Sequence, residues 1–221
     1  MSAGQPPPDG GPAAGAAYAD RFATEPPEIA AARTRAQRLP GAAPVAPAVG
    51  AMLAVLAAGV SARSVVSIGS GGGVAGLWLL RGMRPDGVLT ALDGDPAQLR
   101  AARTAFTEAG VPSSRTRLIF GTPAEVLPRL SPGAYDLVSC AGPPREYRAQ
   151  LEGVLDLVRP GGAVVLHGLL ADGRIADRTA RDPQTVAWRE LARTVREDER
   201  VLAAVLPVGD GLLVASKRAQ L

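Results

Sequence analysis

From residue 41 onward, short and uniformly apolar runs alternate with longer stretches in which apolar residues recur at helical spacing. The runs at 65–68, 88–92, 118–120, 136–140 and 163–166 are predicted strands, and 74–82, 96–109, 124–130 and 147–158 the helices between them. Strands apolar on both faces that alternate with helices form βαβ units and a parallel sheet covered on both sides. A further helix is predicted over 183–197, and the chain closes on two apolar runs joined by Val208-Gly209-Asp210-Gly211, a tight-turn signal for a hairpin. The pattern predicts an α/β fold: a Rossmann-like, doubly wound seven-stranded sheet, mostly parallel, with an antiparallel strand from the C-terminal hairpin.

The first 25 residues lack this pattern. They are rich in Pro, Gly and Ala with little to bury, so 1–25 is expected to be a disordered arm. Residues 26–40 start with prolines, carry Glu28 early and arginines late, and stop at Pro40, which predicts a short N-terminal helix. The segment 41–221 is then one domain.

Composition narrows the function. The 221 residues are 47% hydrophobic, 20% charged and 4% aromatic, with a net charge of +3. The basic residues are 23 Arg and a single Lys, spread along the chain with no focused stripe or interleaved aromatics, so nucleic acid is not an expected partner. One cysteine, Cys140, cannot form an internal disulfide, and one histidine, His167, cannot build a multi-histidine metal site. No leader-like segment and no apolar run near 18 residues is present. A cytoplasmic protein without a membrane partner is the expectation.

The chemistry concentrates after the first predicted strand, in VVSIGSGGGVAGLWLL. A strand that runs through Gly69-Ser70-Gly71-Gly72-Gly73 into a helix brings bare backbone against a ligand beside free helix N–H groups. The next strand ends at Asp93, 24 residues past Gly69, where a carboxylate can accept both hydroxyls of a ribose. Residues 71–76 satisfy the dinucleotide spacing G-x-G-x-x-G, but that register begins three residues past the strand, whereas G-x-G-x-G at Gly69, Gly71 and Gly73 begins directly after it. A plain βα turn with an exposed Asp remains the bland alternative.

Together with PVAPAVGAML, GVLTALDGDPAQLRAAR, GTPAEVLPRL, YDLVSC, LVRPGGAVVLHG and VLPVGDGLLVAS, this loop resembles the class I S-adenosylmethionine (SAM)-dependent methyltransferases. It resembles in particular the bacterial O-methyltransferases related to catechol and caffeoyl-CoA O-methyltransferases, from about Val45 to Ser216. The resemblance implies SAM as cofactor, a small-molecule acceptor, phenolic or anionic, and a homodimer to which the N-terminal helix contributes. It implies Asp93 on the ribose, with Gly94 beside it. Gly69, Ser70, Gly71 and Gly73 would surround the methionine moiety, with Ala75 where relatives often use Ser. Val45 would be an apolar contact, Thr122 and Pro123 would lie beside the adenine, and Ala141 would also face the cofactor.

The resemblance breaks at the metal. Metal-dependent members end their fourth strand with Asp-x-Asp-Lys and their fifth with Asp-Asn. Here Ala141 and Pro143 replace the two Asp, Pro144 the Lys, His167 the third Asp and Gly168 the Asn. Mg²⁺ prefers oxygen ligands, and one imidazole is no zinc site, so no metal is expected. His167 is then a candidate base for the acceptor hydroxyl, with a locally hydrogen-bonded histidine as the alternative. Tyr147 and Cys140 are read as structural, and Arg145, Arg148, Arg174, Arg178 and Arg181 as either an anion-steering cluster or a solvated face. The leading function is metal-free O-methyl transfer. A decayed SAM-binding module is the alternative, ahead of a nicotinamide oxidoreductase and a nucleic-acid methyltransferase.

Overall fold

A computed structural model describes residues 12–219. Eight helices and seven strands occur in the order α1 (Pro12–Phe22), α2 (Pro27–Ala36), α3 (Pro47–Gly59), β1 (Ser64–Ile68), α4 (Val74–Gly82), β2 (Val88–Asp93), α5 (Pro96–Glu108), β3 (Thr116–Phe120), α6 (Pro123–Val126), β4 (Tyr135–Cys140), α7 (Pro144–Leu157), β5 (Val158–His167), α8 (Pro183–Glu197), β6 (Val201–Leu206) and β7 (Leu212–Lys217). The sheet order is β3-β2-β1-β4-β5-β7-β6. β1 to β5 pair in parallel, and β7 is antiparallel to both β5 and β6. This is the predicted Rossmann-like sheet.

Alternate strand residues serve two cores. Val66, Ile68, Val138, Cys140, Val164 and Leu166 face α7 and α8, where Tyr147, Leu151, Trp188 and Leu191 pack. Val65, Leu89, Leu137 and Val165 face α2 to α5, with Leu53, Trp78 and Phe106. Burial on both faces is why these strands read as continuous apolar runs. Among the described residues no helix is long and apolar enough to cross a membrane.

Several boundaries differ from expectation. Part of the arm expected to be disordered is helical: α1 docks on α3, and its Asp20 carboxylate accepts from the Ala48 N–H at 2.9 Å. That contact satisfies an orphan donor in the first turn of α3, whose N-cap is the capless Ala46. Residues 1–11 of the arm lie outside the described residues. α3 itself carries no helical period in sequence, because small residues fill it. The helix expected at 124–130 is one α-turn, α6, followed by a 3-10 turn at Leu127–Arg129. α7 starts three residues before its predicted start, and β5 takes Val158, with a register shift against β4 between Tyr135 and Leu137 that absorbs Arg159-Pro160-Gly161-Gly162.

α2 braces the site. Its Ala36 lies against Gly72, where a Cβ would stand 2.7 Å from the Ala36 methyl. Arg33 reaches forward, its Nε donating to both Glu25 oxygens at 3.0 and 3.1 Å and its Nη1 to the Val45 carbonyl. The segment before α3 is thereby held beside the glycine loop.

α3 and α4 close on one another through glycines. A Cβ on Gly82 would stand 1.9 Å from the Ala54 carbonyl oxygen, a backbone atom that cannot swing aside. Gly82→Ala is expected to cost about 2 kcal/mol through overpacking, read as a lower urea midpoint at unchanged slope. A change below about 0.5 kcal/mol, the range of neutral surface substitutions, would show that the helices separate freely.

Candidate active site

The chain order reverses between β1 and β4, and ligands of open α/β sheets bind at the carboxyl ends of strands at such a point. There β1 runs into a loop whose Gly69, Gly71, Gly72 and Gly73 all have positive φ, between 50° and 93°. A Cβ on Gly69 would stand 2.0 Å from the Ala141 carbonyl oxygen, so the ends of β1 and β4 meet with no room for a side chain. Gly73 faces inward, its Cβ position 2.9 Å from Ala102 of α5.

Asp93, at the end of β2, ties this loop down. Its Oδ2 accepts from the Ser70 N–H at 2.7 Å and the Ser70 hydroxyl at 2.8 Å, and its Oδ1 from the Asp95 N–H at 2.9 Å. A carboxylate has about four acceptor positions, so about one remains for a ligand. Asp95 in turn caps α5, accepting from the Ala97 N–H at 2.8 Å.

Two adjoining cavities open here, of about 570 and 280 Å³. They share Gly69, Asp93, Ala141, Gly142 and Pro143 and form one trough across the sheet edge. The smaller lobe adds Gly94, Thr122 and Pro123, with Thr122 set by a capping box to Glu125. The larger lobe adds Val45, Gly71, Ala75 and His167. Of the residues expected from the sequence to hold the cofactor or act on the acceptor, Ser70 and Gly73 do not line the trough, and Ser70 touches it through Asp93.

Residues that sequence reasoning missed also line it. Val208, Gly209 and Asp210 come from the β6–β7 turn, Gln184 from the start of α8, and Gln98 from the first turns of α5. The Asp-Gly signal marked the hairpin but not its position over the cleft. Asp210 Oδ1 accepts from the Asp172 N–H at 2.7 Å, and Arg189 donates to the carbonyls of Ile175 at 3.0 Å and Ala180 at 2.7 Å. The β5–α8 loop is fastened by these bonds.

His167, at the end of β5, is buried and its Nε2 lies 2.9 Å from the Ser139 hydroxyl. Burial pushes its pKa down to about 4, so it is neutral at pH 7. The Tyr147 hydroxyl and the Cys140 thiol are both pushed up, first by burial, which matches their structural reading. Ala141, Pro143, His167 and Gly168 meet at the mouth and present a methyl group, a pyrrolidine ring, an imidazole and bare backbone. Among the described residues no three His, Cys, Asp or Glu side chains converge. This donor set does not fit a hard divalent cation.

Arg145, Arg148 and Arg181 line an open groove between α7 and α8, of about 730 Å³, whereas Arg174 and Arg178 do not. Arg148 pairs with Glu190 on the groove wall. Pro143 and Gln184 line the trough, while Arg145 and Pro183, close in sequence to them, line the groove, so the two open side by side.

Comparison with known proteins agrees with this geometry. A family profile described as O-methyltransferase matches residues 23–218. A Mycobacteroides abscessus protein, named provisionally as an O-methyltransferase, is 51% identical over 189 residues, covering 86% of this chain and 87% of its own. A Corynebacterium glutamicum crystal structure is 33% identical with a TM-score of 0.85, covering 92% of this chain and 95% of that one. The O-methyltransferase TomG of Streptomyces achromogenes, involved in tomaymycin synthesis and solved in complex with SAM, is 26% identical with a TM-score of 0.80, covering 92% and 95%. The chain belongs to the O-methyltransferase family.

The buried His167 makes stability depend on pH with a definite sign. Its folded pKa of about 4 lies below the unfolded value near 6.5, so between the two the unfolded chain holds the extra proton. Stability is complete above about pH 6.5 and falls as pH drops toward 4, by up to ~1.4 kcal/mol per pH unit. Chemical denaturation of wild type and His167→Gln from pH 7 to 4 is expected to show the difference between them shifting in favour of the variant as pH falls. Parallel curves would mean that His167 is solvated.

Proposed function

We propose that this chain is a SAM-dependent O-methyltransferase that carries a methyl group to an oxygen of a small molecule without a divalent metal. The observation that carries the reading is a single trough with a glycine loop and a carboxylate at its centre and no oxygen-ligand set at its acceptor end. Its volume falls in the usual range for cofactor sites. Asp93 is the ribose ligand in this reading, with Thr122, Pro123 and Gly94 beside the adenine. The free N–H groups at the start of α4 receive the methionine carboxylate, and Val45 and Ala75 supply apolar walls.

SAM, when bound, would supply an electrophilic methyl on a sulfonium sulfur, suited to in-line displacement by an acceptor oxygen with SAH as the leaving group and the hydroxyl proton passing to solvent. The protein's task is to hold the oxygen in that line and keep water away. Val45, Val49, Val208 and Leu212 line the larger lobe and serve the second purpose. An imidazole with a pKa of about 4 is poorly matched to a general base at neutral pH, so His167 is assigned as a neutral hydrogen-bonding group, oriented by Ser139, that positions the acceptor hydroxyl. An acceptor with an acidic hydroxyl, a phenol, then needs least help with its proton.

The same reading includes a homodimer, supported by the large apolar side chains of Tyr18 and Phe22 on α1 and Val55 on α3, which are exposed on two helices in contact. The alternative of a decayed cofactor-binding module finds no support among the relatives, since the matching family profile and the similar proteins are named as O-methyltransferases.

Calorimetric titration of SAM and of S-adenosylhomocysteine (SAH) in EDTA tests the proposal. Wild type is expected to bind both, and Asp93→Ala to weaken each by tenfold or more, the scale of losing charge-assisted hydrogen bonds. Absence of binding at millimolar ligand, or binding that requires Mg²⁺, would overturn it. For the acceptor, phenols paired as neutral and carboxylated forms are expected to differ in kcat/KM by about tenfold in favour of the carboxylate, with Arg145→Ala and Arg181→Ala erasing the preference. Equal rates on wild type would make the arginine groove a solvated face.

A further inference from the structure

Gln98 has no assigned role, yet its position is costly. It sits on the first turn of α5, 7% exposed, lines the larger lobe of the trough, and its Oε1 has no hydrogen-bond partner among the described residues. An unpaired buried amide oxygen costs about 1–3 kcal/mol in a folded protein. A plain helix-surface Gln would turn to solvent, and a core position would favour an apolar residue of the same size. A polar group kept without a partner at a cavity wall is most simply one whose partner is the ligand.

The neighbourhood says which part of the ligand. Gln98 is absent from the smaller lobe, where Thr122 and Pro123 lie, so it does not face the adenine end. One helical turn further along the same face, Ala101 and Ala102 pack on Gly72 and Gly73 of the loop, which directs Gln98 toward Gly71 and Asp93. Asp93 already accepts three hydrogen bonds from Ser70 and Asp95, so it retains about one acceptor position. A ribose diol brings two hydroxyl donors. Either a protein bond must break or a second polar group must take the other hydroxyl.

We infer that the Gln98 amide is that second group and shares the ribose diol of SAM and SAH with Asp93. A hydroxyl both donates and accepts, and rotation about the last side-chain bond exchanges the amide oxygen and nitrogen, so the amide can serve from either face. The pairing satisfies the orphaned atom only when the cofactor is bound. The buried polar cost in the free protein is thereby converted into affinity for the ligand. This inference rests on the SAM-binding reading above, but not on any acceptor or on catalysis.

The test uses Gln98→Met, which keeps the length of the side chain and removes its polar atoms. The ligand-free variant is expected to melt at the same temperature as wild type or higher, because an unpaired polar group has been removed. Its SAH dissociation constant is expected to rise about tenfold. With SAH analogues lacking the 2′- or the 3′-hydroxyl, one analogue should bind wild type and variant equally, because the hydroxyl that Gln98 meets is gone. Unchanged SAH affinity in the variant would overturn the inference, as would a tenfold loss that persists with both deoxy analogues, which would place the contact elsewhere on the ligand. A lowered melting temperature with unchanged affinity would make Gln98 structural. Failure of wild type to bind SAH at all would instead sink the cofactor reading itself.

Discussion

The rest of the site depends on how closely the backbone passes itself after β1. At Gly69 a methyl group would overlap the Ala141 carbonyl, and at Gly72 and Gly73 it would press on Ala36 and Ala102. These contacts join four elements, β4, α2, α5 and the loop itself, in one place. Positive φ at each glycine lets the chain turn there at little steric cost. The trough exists because this junction is bare. Any side chain in it would separate β1 from β4 at the one point where the sheet can accept a ligand between its strands.

The junction also explains why the N-terminal helices belong to the site. α2 presses Ala36 on the loop from outside and, through Arg33, fixes the carbonyl of Val45 on the trough wall. α1 caps α3 through Asp20. Neither helix contributes to the sheet, yet both set the position of the segment that closes the larger lobe. Their part is to supply a rigid wall against which a ligand can be oriented.

Much of this was legible in the residues, and the rest was hidden for definite reasons. The parallel strands were readable because burial on both faces makes them uniformly apolar, and Asp93 because it follows a strand at a fixed distance from the glycines. α3 was not, because Ala and Gly give no helical period, and α1 was not, because its stability comes from docking on α3 rather than from its composition. The early start of β5, predicted only from 163, was concealed by Arg159-Pro160-Gly161-Gly162, whose Pro and Gly break the apolar run although Arg159 is held there by Asp136 at 2.6 Å. Gln98 escaped because a glutamine in an amphipathic helix looks like surface. Only its burial without a partner, a three-dimensional fact, separates it from the other polar residues of α5.

At the mouth of the trough, the residues that stand where metal-dependent O-methyltransferases would carry carboxylates form a consistent neutral set. Removing carboxylates from a metal site leaves a polar hole unless the remaining groups are also neutral, since an isolated buried charge is heavily penalised. Here each position holds a neutral group, and the one titratable side chain, His167, is kept uncharged by burial and bonded to Ser139. In the metal-free reading proposed above, a neutral mouth beside a cationic sulfonium would favour an oxygen that arrives already anionic or readily becomes so, because opposite charges attract more strongly the less water lies between them. In that reading, the burden of activation falls on the acceptor's own acidity rather than on a metal or a protein base.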